Sequence, residues 1–208
     1  MILRPEQMDL LQEVINIGIG KSAGILNEMI DAHITLQVPH LRIFSKQELA
    51  REMGDLTQRY FGAVKMGFHG SFKGIASLLF PRKSAAKLVN VMTGEYPMTN
   101  DLDSIRIGTL TEIGNIIING IMGTVSNLLK KPLKFFMPAY AEGSLCAMLL
   151  QDFTAASSTV LLAQTRFFVE EHLVEVDLFL FFDVGSFDDL LVCLDDMLQQ
   201  ENAQNDKS

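Results

Sequence analysis

Apolar residues recur at helical spacing between positions 7 and 30, which predicts one long helix. One side of this helix is expected to pack, since it carries Leu11, Val14, Ile15, Ile25, Leu26 and Met29. The opposite side carries Asp9, Glu13, Asn16, Gly20 and Asn27. The sequence therefore predicts a helix with one packing face and one polar face that is available to a partner.

The same pattern returns 99 positions later, where Glu112 falls on Glu13, Asn115 on Asn16 and Pro138 on Pro39. A second long helix is predicted at 104–129. Its packing side carries Leu110, Ile113, Ile117, Ile121, Val125 and Leu128, and its polar side carries Glu112, Asn115, Asn119 and Ser126.

The remaining elements follow in a similar order in both halves. In the first half, the residue pattern predicts an extended segment at 34–44, a short helix at 45–53, strands at 59–68 and 72–80, and a helix at 82–92. The second half predicts an extended segment at 133–140, strands at 145–150, 158–169 and 173–182, and a last helix from 186. Proline gives a sheet no N–H, so Pro39 and Pro138 indicate an edge strand or a bulge. Ser45 and Glu48 have capping-box spacing.

These elements predict an α+β fold made by internal duplication. Two similar halves would share one antiparallel sheet about a pseudo-two-fold axis, and helices would cover the sheet, the two long helices carrying the repeated motif. We expect a single domain, 1–208, of two repeats at about 5–93 and 103–200. A linker at 94–102 and a disordered tail at 201–208 complete the chain.

The composition argues against several classes of function and location. A net charge of −8 and no basic run longer than Lys130-Lys131 argue against nucleic acid as a partner. Cys146 and Cys193 lack the spacing of a metal or redox motif, which favours a reduced, cytoplasmic setting. We expect no signal peptide and no membrane span, because no apolar run approaches the ~18 residues needed.

A Glu-x-x-Asn pair on a helix places a carboxylate and an amide side by side, about 5–6 Å apart at Cβ. The amide can hold a water in line with a bound phosphoryl group, and the carboxylate can pair with a partner's Lys or Arg. The alternative is a solvated helix face, against which the repetition argues. The sequence shows no phosphate cradle, metal-ligand cluster or activated nucleophile; Gly20-Lys21-Ser22 lacks the spacing of a P-loop. A partner should therefore supply the phosphoryl group and its metal.

The repeated pattern Asp/Ser-x3-Glu-x2-Asn-x22-Pro resembles the signature of the CheC/CheX/FliY chemotaxis phosphatases, and its two copies resemble the CheC branch. The resemblance implies a hydrolase that dephosphorylates the phospho-aspartate of a CheY-like response regulator. Asn16 and Asn115 would orient the water, and Glu13 and Glu112 would pair with the regulator's Lys. Asp9 would contact the partner in the first copy, whereas Gly108 departs from the motif in the second, so the first site should be at least as active.

Two readings stay open beside this one. Family relatives also serve as non-catalytic interaction modules, in the flagellar switch or as binders of the deamidase CheD. The regulator addressed could also belong to a signalling system other than motility. We expect no cofactor of the chain's own, with Mg²⁺ held by the regulator. Gly18, Gly20 and Gly24 are predicted to thin the first helix so that a partner backbone or the second helix can approach.

Overall fold

The computed structural model describes residues 3–30, 34–52, 60–94, 103–144, 147–148, 159–169, 172–183 and 185–205. Its helices are α1 (Pro5–Ile30), α2 (Lys46–Glu52), α3 (Arg82–Thr93), α4 (Ser104–Leu128) and α5 (Ser186–Asn205). Its strands are β1 (Ile34–Ser45), β2 (Tyr60–Gly70), β3 (Gly74–Pro81), β4 (Leu133–Phe135), β5 (Ala139–Ser144), β6 (Thr159–Val169) and β7 (His172–Phe182). The two long predicted helices are confirmed.

The strands form one antiparallel sheet in the order β1-β6-β7-β3-β2-β4, with β5 also paired to β2. The first strand of each half pairs with a strand of the other half, while β3 and β7 meet in the middle, where Leu78 stands opposite Leu178. Exchanging the halves reproduces this order, as a pseudo-two-fold arrangement requires. The antiparallel α+β fold is confirmed, and the duplication of the sequence stays a prediction.

Both motif prolines lie where the pairing of an outer strand is interrupted. In β1, the register passes from Gln37 opposite Arg166 to His40 opposite Gln164, so the proline side of this pair has one extra residue. In the second half Pro138 lies in the gap between β4 and β5, both of which pair with β2. The prediction of an edge strand or a bulge at Pro39 is therefore confirmed.

The two long helices run antiparallel across each other, since successive contacts advance along α1 as they recede along α4. Gly18 lies against Ile121, whereas Ser22 reaches the carbonyl oxygens of Ile116 and Ile117. Both helices pack on the main hydrophobic core with α3, α5 and one face of the sheet. The two helices thus form a layer that packs on the core with one side, and this packing holds the opposite, outward side in position.

The packing face of α1 is narrower than the sequence predicts. Leu11, Val14, Ile15 and Leu26 are buried, but Ile25 and Met29 are 46% and 54% exposed. The last turns of α1 are directed towards β1, where the Asn27 amide bonds to the backbone N–H and carbonyl of Ile34. Asn27 therefore joins α1 to the sheet and is not part of a partner-facing surface.

Other boundaries also differ from the predictions. Residues 147–148 are helical, so the strand predicted at 145–150 is wrong there, and its other residues lie outside the described ranges. The neighbouring strand that pairs with β2 is β5, which ends at Ser144. The predicted tail is corrected at 201–205, which continue α5 because no Pro or Gly stops the helix. In the linker only Gly94 is described, and its φ of 70° ends α3.

Candidate functional site

The first motif lies on the outward side of α1. Asp9, Glu13 and Gly20 are exposed, whereas Asn16 is half-buried. The start of the helix is fixed to α5, because Gln7 Nε2 donates a hydrogen bond of 2.8 Å to the Asp195 carboxylate. We call Asp9, Glu13, Asn16 and Gly20 the first site.

The second motif lies on α4 with the same pattern of burial. Glu112 is exposed and Asn115 is half-buried, while the departing position, Gly108, is also exposed. The helix begins after Asp103, whose carboxylate accepts a hydrogen bond of 2.9 Å from the Arg106 N–H. We call Glu112, Asn115 and the neighbouring Asn119 the second site.

The structure keeps the two sites separate. On each helix the Glu-Asn pair lies N-terminal to the segment that contacts the other helix. Because the helices are antiparallel, the two pairs lie towards opposite ends of that contact. The contacts between the helices place Asn16 level with about residue 123 of α4, so Asn16 and Asn115 are about eight residues apart along the helix axis, or about 12 Å. The motif residues therefore form two similar pairs on either side of the crossing and do not combine into one catalytic cluster.

The carboxylates of both sites are available for an external cation. Within the described part of the chain, Asp9, Glu13 and Glu112 form no ion pair and no side-chain hydrogen bond. An exposed carboxylate without an internal partner can accept from a Lys or Arg on a docked protein without first breaking a bond. This property fits the docking role that the sequence assigns to the two glutamates.

The two amides have different surroundings. Asn119 Nδ2 donates a hydrogen bond of 2.7 Å to Asn115 Oδ1. The equivalent position beside Asn16 is Gly20, and a Cβ built there would meet nothing within 4 Å. Among the described residues, the Asn16 side chain has no hydrogen-bond partner. Helical periodicity predicts Asn119 on the polar face but gives it no role. Its spacing of four residues from Asn115, absent from the first copy, was the available signal of the contact.

The glycines of α1 divide into two kinds. A Cβ on Gly18 would lie 2.6 Å from the Ile121 Cα, so Gly18 allows α4 to approach, as the sequence predicts. Gly20 and Gly24 have open space around them. These two positions leave a shallow, backbone-lined strip next to Asn16 that a partner could contact.

The described residues contain no group of three or more His, Cys, Asp and Glu side chains that could hold a metal ion. None of the described helices has both the length and the apolar character needed to cross a membrane. The two sites present carboxylate and amide side chains on α1 and α4.

No family model matches the chain. A curated relative, the CheY-P phosphatase CheC of Bacillus subtilis (strain 168), is 25% identical over 200 residues, which cover 92% of this chain and 95% of CheC. The crystal structure of Thermotoga maritima FliY superposes with a TM-score of 0.77 at 17% identity, over 94% of this chain and 99% of FliY. A chain of the FliG–FliM complex from H. pylori superposes with a TM-score of 0.66 at 11% identity, over 91% of this chain and all of its own length.

The two structural likenesses show a shared fold, since their sequence identities are low. The identity with CheC extends over almost the full length of both proteins. Together, these comparisons show that the chain has the fold of FliY and is similar to CheC over almost its full length.

Proposed function

We propose that this protein is a phosphatase that hydrolyses the phospho-aspartate of a CheY-like response regulator. The observation that carries the proposal is the repeated pair of an exposed, unpaired Glu and a half-buried Asn on α1 and α4. A solvated helix face gives no reason for the same amide to be half-buried twice. The relative CheC, whose name states that it is a CheY-P phosphatase, supports the same activity.

In the proposed reaction, Asn16 or Asn115 enters the regulator's active site and holds a water opposite the aspartyl oxygen. The water oxygen bonds to phosphorus as the bond between phosphorus and the aspartyl oxygen breaks. Inorganic phosphate is released, and the Asp carboxylate of the regulator is regenerated. The regulator provides the phosphoryl group and its Mg²⁺. The amide acts by position, since it is neutral and cannot serve as a general base.

The glutamates have a docking role. Glu13 or Glu112 pairs with a Lys of the regulator and fixes the helix so that the neighbouring amide, one helical turn away, reaches the phosphoryl group. Asp9 and the open strip at Gly20 extend the contact at the first site.

The experiment follows loss of acyl phosphate from a phosphorylated receiver domain, at a regulator concentration well below KM. We expect wild type to accelerate the loss, Asn16→Ala and Asn115→Ala each to retain part of the activity, and the double variant to return to the spontaneous rate. Comparison of Asn16→Ala with Asn115→Ala measures the kcat/KM of each site separately, and Asp9 should lower KM at the first site. Spontaneous decay with wild type across several receivers would contradict the proposal.

A second candidate function is a non-catalytic interaction module. The fold shared with a chain of the FliG–FliM complex favours it, because that chain has the same architecture in an assembly of two proteins. Binding of a receiver domain that leaves the decay rate unchanged would support the module over the enzyme. Binding of CheD stays a prediction from the family resemblance, and titration of CheD against the purified protein tests it.

A further inference from the structure

We propose that Asn119 is a positioning residue of the second site, where it fixes the Asn115 amide in the orientation used for hydrolysis. This inference rests on the proposed phosphatase function and adds a difference between the two sites. The first site has Gly20 in the place of Asn119, so it lacks this control. The second site should therefore turn over faster once the regulator is bound.

The contact that carries the inference is the hydrogen bond between the two amides. Asn119 Nδ2 lies 2.7 Å from Asn115 Oδ1, and both side chains are half-buried on the same side of α4. This distance is at the short end of the usual range for an N–H···O hydrogen bond. In the structure the Asn115 side-chain oxygen faces Asn119, and the bond restrains rotation of the Asn115 amide.

The bond leaves Asn115 able to act on a water. An amide oxygen accepts two hydrogen bonds and an amide nitrogen donates two, so Asn115 keeps one acceptor position and both donors after bonding to Asn119. Positional catalysis is sensitive to small displacements, and fixing the amide before docking reduces the number of unproductive orientations. The expected effect is therefore on kcat and not on the affinity for the regulator.

The first site offers the natural comparison. Within the described residues Asn16 has no side-chain partner, and the space above Gly20 is open to at least 4 Å from a built Cβ. Asn16 can therefore rotate until a docked regulator orders it. The chain thus combines a first site with an added docking carboxylate, Asp9, and a second site with a prearranged amide.

A purely structural role for Asn119 is the competing explanation, since amide pairs four residues apart also stabilise helices. The test uses the full chain with Asn16→Ala, which leaves only the second site, and adds Asn119→Ala. Alanine removes the amide while favouring the helix, so loss of helix stability cannot account for a loss of activity. Asn127→Ala on the same background is the matched control, because Asn127 is an exposed residue of α4 outside the site.

We expect Asn119→Ala to lower kcat for regulator dephosphorylation about threefold to tenfold, the factor to which one net hydrogen bond corresponds, with KM unchanged. The control should leave both constants unchanged. In the reverse experiment, on an Asn115→Ala background, Gly20→Asn should give a higher kcat than Gly20→Ala, because only Asn can bond to the Asn16 amide. Equal kcat with and without Asn119 would overturn the inference.

The outcomes separate this inference from the function on which it rests. An inactive wild-type protein would overturn both. An active wild type, with Asn16→Ala either inactive or unaffected by Asn119→Ala, would overturn the positioning role alone. The side-chain amide resonances of Asn115 in ¹⁵N spectra give an independent readout, since removal of Asn119 should shift and broaden them if the bond restrains the amide.

Discussion

Gly18 of α1 lies against the backbone of Ile121 in α4, so closely that a Cβ on Gly18 would be 2.6 Å from the Ile121 Cα. Real Cβ atoms do not approach a neighbour to this distance. The Ser22 hydroxyl, which donates a hydrogen bond of 2.9 Å to the Gly18 carbonyl, fills the other side of the contact. The spacing between the helices, and hence between the two sites, is therefore set by backbone contact.

Gly18→Ala should destabilise the protein by about 1–3 kcal/mol, because overpacking at a backbone contact forces the two helices apart. Urea unfolding followed by circular dichroism measures the change in free energy. The expected loss outweighs the gain of about 0.5–1 kcal/mol that alanine normally brings to a helix.

Gly20→Ala is the matched control, two residues further along the same helix. A Cβ there meets nothing within 4 Å, so only the helix effect remains and the variant should be more stable than wild type. Equal stabilisation by the two substitutions would show that α1 and α4 are not in backbone contact at Gly18.

Glu13→Gln and Glu112→Gln should raise KM for the phosphorylated regulator and leave kcat nearly unchanged, because the proposed ion pair holds the complex and takes no part in the reaction. An exposed ion pair contributes about 0–1 kcal/mol, so the rise at either site should not exceed about fivefold. Kinetics at increasing salt concentration provide the check.

Wild type should lose affinity as salt screens the pair, and the double Gln variant should depend less on salt. Glu28→Gln, at another exposed acidic position of α1, controls for the overall change in charge. A fall in kcat at constant KM would assign the glutamates to the reaction and contradict the docking role.

The spacing of apolar residues predicted the two long helices and their packing faces, because a helix that is buried on one side has apolar residues every three to four positions. The position of Glu13 and Asn16 on the outward side of α1, and of their equivalents on α4, follows from this spacing. The sequence does not predict which element packs against each position. Gly18 and Gly20 are both glycines of one helix, and only the position of α4 shows that Gly18 is buried and Gly20 is open.

Other features were not visible in the local pattern. The segment around Met148 has strand-like composition, but the neighbouring strand that pairs with β2 is β5, which ends at Ser144, and 147–148 are helical. The bond between Asn115 and Asn119 depends on side-chain rotamers that spacing alone does not define. Local patterns thus predicted the elements, whereas strand pairing and side-chain rotamers were visible only in the structure.

The capping box of α2 should make stability depend on pH. The Ser45 N–H donates to the Glu48 carboxylate at 2.8 Å, and the Glu48 N–H donates to the Ser45 hydroxyl at 3.3 Å. The bond to the Ser45 backbone lowers the pKa of Glu48 below its ordinary value of 4.5. Because the folded-state pKa is the lower one, this stabilisation is complete above pH 4.5 and is lost as pH falls through the folded-state pKa.

Unfolding free energies measured between pH 7 and pH 3 on wild type and Glu48→Gln test this dependence. The difference between the two proteins should shrink as the pH falls, since the carboxylate then becomes protonated in both states of wild type. Ser45→Ala removes the hydroxyl but keeps the backbone N–H, so it should retain most of the pH dependence. A difference that is constant across the range would show that Glu48 does not cap the helix as a carboxylate.

Gly108→Asp should strengthen docking at the second site, because it restores the acidic position that Asp9 provides at the first. Gly108 is exposed, and a Cβ there meets nothing within 4 Å, so the side chain can be added without disturbing the fold. On an Asn16→Ala background, KM should fall by no more than about fivefold, as expected for an exposed charge, with kcat unchanged.

Gly108→Ala on that background shares the gain in helix stability but adds no charge, so its KM should match that of the Asn16→Ala protein. Asp9→Ala on an Asn115→Ala background should raise KM by a similar factor, because it makes the first site resemble the second. If Asp and Ala at position 108 gave the same KM, the acidic position of the motif would have no docking role, and the difference between the sites would depend on Asn119 and Gly20 alone.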